Sequence, residues 1–517
     1  MALRFVQHDH SRRRFLAGVG GLGSLLLLGR PGAVLANWKP QNNPFTLGVA
    51  SGNPRPNGVV LWTRLAPDPL APGGGMPAES VAVEWDLAED AQFSKGLRSG
   101  RSFAIAGEGH SVHVELVDLP PDSHWYYRFR AGDAISAVGR TRTAPAADGS
   151  VDRLRLALAS CAHYEHGLFV AYRELGEADL DLIVHVGDYI YENAWGVDPV
   201  RRFGAPEPMT LEDYRQRHAL YKLDPNLQLA HANHPWLFTW DDHEVDNDYA
   251  GALGQDRDPE GAFLLRRAAA YQAYYEHLPL SRAQVMQGPW MRLHDRFVWG
   301  QLADLHLLDC RQYRSVQPCR PPGQGGSSNL AGCEARLDPN ASMLGAAQEA
   351  WFYNSLSNSQ QRWNLIAQST LFAPKDGDPG EAEVIWTDGW DGYAANRARM
   401  IESMRGKANP VLLGGDVHAH YVANVNADDG STIASEFCGT SITSQAWPQE
   451  KIASELPANP HLLLGDGSRR GYVAFDLRPG QLQADLRVFE NVRDRNARGS
   501  SLAKFAVNDG KPGPLRS

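Results

Sequence analysis

Asp181-Leu182-Ile183-Val184-His185-Val186-Gly187-Asp188-Tyr189-Ile190-Tyr191-Glu192 sets an aliphatic run directly before a cluster of ligand-type side chains. The run is short and rich in β-branched residues, so it reads as a buried strand, and Asp188 and Tyr191 follow where that strand ends. The same order recurs in Leu154 to His163 (LRLALASCAH), which ends on Cys161 and His163. It recurs again in Pro410 to His420 (PVLLGGDVHAH), which ends on Asp416, His418 and His420. Open α/β sheets bind their ligands just outside the carboxyl ends of their strands. Three strand ends delivering Cys, Asp, Tyr and His to one edge would build a single metal site, as expected of a metal-dependent hydrolase.

A fourth segment has the same form. Trp236-Leu237-Phe238-Thr239-Trp240 is a strand-like run, and Asp241-Asp242-His243-Glu244-Val245-Asp246-Asn247-Asp248 follows it. Carboxylate clusters are commonly solvated turns. A histidine among carboxylates behind a strongly apolar strand suits a cation together with a proton-transfer or phosphate-contacting group.

Around these segments the chain divides by texture. At 517 residues it is long enough for more than one domain. Residues 41–146 read as a β-sandwich, with strands such as Val59 to Thr63 and Val81 to Trp85 between Pro/Gly-rich turns. Leu119-Pro120-Pro121 and Trp125 to Arg130 resemble the late corner and strand of a fibronectin-type sandwich. After a linker at Ala144 to Gly149, residues 151–492 alternate strands and helices, as an α/β domain does. Helices are expected at Leu168 to Ala178, Leu211 to Tyr221, Glu260 to Glu276, Ala346 to Ser357 and Ala395 to Met404. Residues 493–517 are set apart as a C-terminal tail with no clear helical pattern.

Residues 1–36 resemble a twin-arginine signal peptide. Ser11-Arg12-Arg13-Arg14-Phe15-Leu16 precedes the apolar run Ala17 to Leu28 and then Ala33-Val34-Leu35-Ala36. The run is short for a span of about 20 residues, and no other stretch of the mature chain is apolar enough to cross a membrane. The expectation is a periplasmic or secreted protein that meets the twin-arginine export machinery. An oxidising location permits disulfides. Cys319 and Cys333 flank the Pro321 to Ser328 loop and would pin it if bridged, whereas Cys310 and Cys438 sit in apolar runs as core residues. The net charge of −10 argues against a nucleic-acid-binding module. An anionic substrate would therefore depend on local cations, which bound metals supply.

The ordered motifs resemble the calcineurin-like metallophosphatases, and among them the PhoD-like alkaline phosphatases and phosphodiesterases. The matching segments are Ala159-Ser160-Cys161, His185 to Glu192, Trp240 to Val245 and Gly415-Asp416-Val417-His418. Leu308 to Arg314, Gly439 to Ser444, Gly48 to Gly52 and Trp62-Thr63-Arg64 also fit, so the resemblance spans nearly the whole mature chain. It implies a four-layer αββα metallophosphoesterase domain behind the sandwich. It also implies ferric iron held by Cys161, Asp188, Tyr191 and His418. Asp188 would bridge to a second site served by Asp242 and Asp416, calcium in this family, with other divalent ions possible and Asn247 near a further calcium. His243 would touch the phosphate and assist the leaving group, and a metal-activated hydroxide would attack phosphorus in line. Substrates would be small phosphoesters or phospholipids.

Several residues carry open readings. Arg311 could hold phosphate oxygens with its planar fork or pair with a carboxylate such as Asp309. His163 and His420 could line the pocket or orient a ligand, and His185 reads as a core histidine. Trp386 to Tyr393 is expected to wall the pocket. The alternatives to a phosphatase or phosphodiesterase are a phospholipase D-type hydrolase and a catalytically idle metal-binding surface protein. All of Cys161, Asp188, Asp242, His243 and His418 are present, which argues against the idle form.

Overall fold

The computed structural model describes residues 34–35 and 38–517, apart from 41, 322, 379 and 381. The signal peptide read over residues 1–36 lies almost wholly outside them. Two large sheets form the middle of the molecule. The first has ten strands, in the order Lys511–Arg516, Gly499–Asn508, Gln481–Phe489, Arg470–Arg478, Leu154–Ala159, Leu182–Val186, Pro235–Thr239, Val49–Arg55, Gly58–Arg64 and Ser111–Leu116. The second has seven: Asp295–Trp299, Ala303–Leu307, Trp363–Ala367, Pro410–Gly414, Thr432–Cys438, His420–Asn426 and Leu462–Asp466.

These sheets pack face to face. Leu156, Leu158, Val184 and Leu237 of the first meet Leu305, Leu365, Leu413 and Phe437 of the second in one apolar layer. Helices Val170–Glu177, Leu211–Lys222, Pro225–Asn233 and Glu260–His277 cover the outer face of the first sheet. Ala346–Ser357 and Ala394–Met404 cover the second. Strands covered on both faces have no solvent side, which is why Leu182–Val186 and Pro410–Gly414 read as unbroken apolar runs rather than alternating ones. Each fully buried aliphatic side chain there contributes roughly 1.5–3 kcal/mol of burial free energy.

Topology then places the site. Leu154–Ala159, Leu182–Val186 and Pro235–Thr239 are mutually parallel. Ala303–Leu307, Trp363–Ala367, Pro410–Gly414 and Thr432–Cys438 are parallel in the second sheet. Both parallel sets end at one edge, where Thr239 Oγ1 of the first sheet donates to Leu308 O beyond the second.

The N-terminal region is a sandwich that does not stand apart. Its outer sheet, built around Ser80–Ala88 and His124–Ala131, packs Val83, Tyr127 and Phe129 on Val49, Leu61 and Val112. Those last residues belong to strands of the ten-stranded sheet, because Val49–Arg55 pairs in parallel with Pro235–Thr239. The boundary expected between 146 and 151 therefore does not separate two sheets. Gly52 makes the join possible: a Cβ there would lie 2.6 Å from Pro279 O and 2.9 Å from Trp236 O.

Residues 493–517 are likewise not a loose tail. Gly499–Asn508 and Lys511–Arg516 continue the sheet beyond Gln481–Phe489, and Phe505 and Val507 enter the core between the two sheets. A disulfide joins Cys319 to Cys333. Among the described residues no helix is long and apolar enough to cross a membrane.

Candidate metal centre

The strand ends converge through an uncommon backbone conformation. Cys161, Asp188, Asp416 and His418 have φ of 59°, 55°, 67° and 55°. Left-handed backbone is unfavourable for residues bearing a Cβ, least so for Asp, and it persists where the surroundings enforce it. Here the enforcing contacts are visible. Cys161 N–H donates to Gly187 O and Ala162 N–H to Asp188 O, so the first two strand ends brace each other. Glu244, 1% exposed, accepts from the backbone N–H groups of Asp188, Tyr189 and Asp241. That carboxylate ties the second strand end to the third. Gly187 admits the approach, since a Cβ there would lie 2.6 Å from Asp241.

Two ligand groups result. The ligand atoms of Cys161, Asp188 and His418 lie within 4.8 Å of one another, and so do those of Asp188, Asp242 and His243. Asp188 belongs to both, so the carboxylate stands between two positions. Tyr191 joins the first group: its hydroxyl is 2.7 Å from Asp188 Oδ2 and 3.1 Å from His418 Nε2. His418 Nδ1 contacts the Gln445 carbonyl at 2.7 Å, which turns Nε2 towards the centre. Ser444 Oγ bonds both Cys161 O and the Tyr191 hydroxyl, each at 2.8 Å.

The electrostatics are those of a cation site. Burial, with Asp188 adding, pushes the Cys161 thiol well above its ordinary value. Asp188 is itself pushed well up by burial, with Asp242, Asp241 and Glu244 adding and His243 opposing. Tyr191 follows the same direction through burial and then Asp188. Asp188 Oδ1 and Asp416 Oδ2 are buried without a hydrogen-bond partner. Buried carboxylate oxygens left unpaired are costly, and a bound cation reverses the penalty for every one of these would-be anions. Thiol, phenol, imidazole and carboxylate suit a polarising transition-metal ion, and a carboxylate-rich neighbour suits a harder divalent ion.

His243 is held differently. Its Nδ1 lies 2.7 Å from Oε2 of the fully buried Glu192. Burial works against an imidazolium, but Glu192, Asp242 and Asp188 outweigh it and raise His243 well above its ordinary value. With Nδ1 engaged, Nε2 is the free atom of the ring.

Other expected residues fall elsewhere. Arg311 is 2% exposed and consumed by carboxylates: Nε meets Asp241 Oδ1 at 2.5 Å and Nη2 meets Asp388 Oδ2 at 2.7 Å. It is a buried bridge holding two loops, and its side-chain partners are Asp241, Asp388 and, at 3.6 Å, Asp242 rather than Asp309, which is the alternative the sequence left open for it. The Asn247 side chain donates to Gln255 Oε1 at 2.9 Å, so its amide nitrogen is spent on a neighbouring loop. Asp416 is in neither three-residue group, but it stands beside the centre: its Oδ2 is buried without a partner and burial, with Asp241 and Asp242 adding, pushes its carboxyl well up. His163 stacks on His166 at 3.7 Å and contacts Tyr191 at 4.7 Å, serving as packing behind that ligand. His420 is a core residue whose Nδ1 accepts from Thr440 N–H. His185 is also core, paired with the Tyr172 hydroxyl at 3.0 Å. Trp390 and Tyr393 are buried in the core that covers the second sheet, while Trp386 is half-buried and donates to Ser327 Oγ.

Sequence reading missed Glu192, Glu244, Asp248 and Asp388. Asp242, Asp248 and Asp388 form a third acidic group, with Arg311 and Arg314 paired to Asp388. The loop pinned by the disulfide reaches it: Ser327 N–H donates to Asp248 Oδ2 at 2.8 Å. Glu192 and Glu244 had a signal, each being the last acidic residue of a motif already singled out.

Comparison with known proteins bears on the family and the fold. The family profile described as PhoD-like phosphatase matches residues 156–486, and that of the PhoD-like phosphatase N-terminal domain matches residues 32–145. The chain is 42% identical to alkaline phosphatase D of Bacillus subtilis (strain 168), covering 98% of this chain and 89% of that protein. A solved structure of PhoD superposes with a TM-score of 0.88 at 42% identity, over 93% of each chain. The purple acid phosphatase PPD1 from yellow lupin (Lupinus luteus) seeds shares the fold, with a TM-score of 0.58 at 10% identity over 90% of this chain and 74% of that one.

Proposed function

The chain belongs to the PhoD-like phosphatase family and is a phosphoester hydrolase, and from that premise we propose an exported, metal-dependent alkaline phosphatase or phosphodiesterase. The observation that carries the proposal is Asp188 shared between Cys161–His418 on one side and Asp242–His243 on the other. Cys161, Asp188, Tyr191 and His418 would hold a trivalent iron, and Asp188 with Asp242 a divalent ion such as calcium. Bound there, such ions would neutralise phosphoryl charge and bring the pKa of a water from 15.7 towards about 7.

The protein's own groups complete the reaction. His243, oriented through Glu192, whose carboxylate favours a proton on the ring, presents Nε2 to donate a hydrogen bond to the phosphoryl group and a proton to the departing oxygen. Buried Tyr191 and Cys161 keep bulk water from the inner position. The twin-arginine-like leader supports export, and the fibronectin-like strand pattern of the N-terminal region supports that lineage for the sandwich. A phospholipid would need an apolar approach. The cavity beside the centre carries Arg469, Arg470 and Arg493 in its lining, which favours anionic esters.

The test is turnover of p-nitrophenyl phosphate and bis-p-nitrophenyl phosphate at alkaline pH, with and without EDTA. Activity abolished by chelation and restored by calcium is the expected result. Iron-loaded, calcium-supplied protein that turns over neither ester would overturn the proposal.

A further inference from the structure

A second cavity-forming cluster adjoins the metal centre, and its cations are not accounted for by the centre. The cavity is about 440 Å³ and is lined by Arg469, Arg470, Arg493, Trp447, His166 and Gln445, among others. It touches the centre through neighbouring backbone. The Gln445 carbonyl faces His418 Nδ1, and Ser444, whose hydroxyl meets Tyr191, offers its carbonyl to Arg470 Nη1 at 2.6 Å.

Arg470 is the anomaly. It is 8% exposed, and among the described residues no carboxylate lies within ion-pair distance of it; the nearby Asp466 pairs with Arg469 and reaches Arg470 only at longer range. Its guanidinium donates to the carbonyls of Ser444 and Gly467, which uses two of the five N–H donors an arginine carries. Arginine is almost never buried this deeply without a counter-charge. Arg469 adds a second incomplete group: its Nε is buried with no partner, although Nη2 meets Asp466 at 3.1 Å. Arg493 is exposed at the rim and makes no ion pair among the described residues. Glu450 and Glu490 also line the cavity but are exposed and pair with none of the three. The indole of Trp447, 63% exposed, gives the same rim a flat apolar surface.

We propose that this cavity is a subsite for a second phosphate group of the substrate, so that the favoured ester carries a further phosphate a few bonds from the scissile one. The proposal rests on the phosphoesterase reading of the adjacent centre. An incoming phosphate supplies the close counter-charge that Arg470 lacks and accepts from its remaining donors, in the planar geometry that guanidinium and phosphate share, while Arg469 and Arg493 add positive charge around it. Trp447 would lie under the portion of substrate that links the two phosphates. The site thereby ranks esters by what hangs beyond the reacting bond.

Two chromogenic probes separate the idea from its premise: thymidine 5′-(p-nitrophenyl phosphate) and the same ester bearing a 3′-phosphate. They differ only in the second phosphate. The wild-type enzyme is expected to favour the doubly phosphorylated probe in kcat/KM by about tenfold, chiefly through KM, equivalent to about 1.4 kcal/mol. That ratio should shrink as salt rises, because rim charges are screened within about 8 Å at physiological ionic strength. It should collapse towards one in R493A combined with R469Q, and separately in R470M. The paired Arg469 and Arg493 substitutions lie nearer solvent, so the test survives if R470M fails to fold. Equal kcat/KM for the two probes in the wild type would overturn the subsite, as would a ratio that persists through the substitutions and marks Arg470 as loop bracing only. Failure of the premise looks different: neither probe, nor bis-p-nitrophenyl phosphate, would be turned over at all.

Discussion

Single side chains set the chemistry, and two of them separate orientation from stability. Glu192 has no solvent contact and meets His243 Nδ1 at 2.7 Å while also accepting from Asn247 N–H. Glu192→Gln keeps the shape and removes the charge. It is expected to lower kcat roughly 10- to 100-fold with little change in KM, at or below the lower end of the roughly 100- to 10,000-fold that general acid–base groups contribute, because His243 itself remains. Steady-state kinetics beside a melting curve would show it; an unchanged kcat in a folded variant would remove Glu192 from the orientation of His243. Arg311 tests the other role. Its charge is surrounded by Asp241, Asp242 and Asp388, so Arg311→Met strands buried carboxylates and should cost about 3–5 kcal/mol of stability. A urea midpoint reads this directly, and a loss of activity without a loss of stability would return Arg311 to a substrate role. Cys161, Asp188, Asp242, His243 and His418 were legible in the chain because each follows an apolar run. Asp388 was not, since its partners lie more than seventy residues away in Arg311 and Arg314.

Elements were legible in proportion to how far local patterning decided them. The helices at Leu211–Lys222, Glu260–His277 and Ala346–Ser357 fall within a residue of their expected ends. Pro225–Asn233 was missed: it is short and its composition is not amphipathic. Its signal was at the start, where Asp224 caps the first turn and Pro225 opens it. Gly499–Asn508 was missed for another reason. Its alternation is broken by Lys504 and a run of small residues, and only pairing with Gln481–Phe489 makes it a strand. Its weight is testable. Phe505 is 2% exposed in the layer between the sheets, and Phe505→Ala should destabilise the protein by about 3–5 kcal/mol. A shift under 1 kcal/mol in denaturant would mean the strand is an ornament on an already complete core.

Across the molecule, the two sheets share one apolar layer and the sandwich shares a sheet with the catalytic region, so stability is pooled. Buried histidines make that pooled stability sensitive to acid. Burial lowers His306 to about 4, against an ordinary value of 6.5, and the ring is fully buried beside Ser355. A folded-state value below the unfolded one means the unfolded chain binds more protons between them. Stability is then intact above pH 6.5 and falls as pH drops towards 4, by up to about 1.4 kcal/mol per pH unit for one such site. Urea midpoints at pH 6.5 and pH 5 should show the fall, and His306→Leu should make it shallower. An identical slope in the variant would place the acid sensitivity elsewhere.

The sequence by itself determined the strand ends and the ligand types, because an unbroken apolar run and the polar residues after it are neighbours in the chain. It also determined the family likeness, which rests on those same ordered segments. Only the tertiary structure decided which ends meet, that Asp188 stands between two ligand groups, and that Glu192 and Glu244 hold the turns. It alone assigned Arg311 to buried carboxylates and left Arg470 without one. Ion pairing and burial are sums over groups brought together from distant positions, and a linear chain does not display that sum until its sheets are packed.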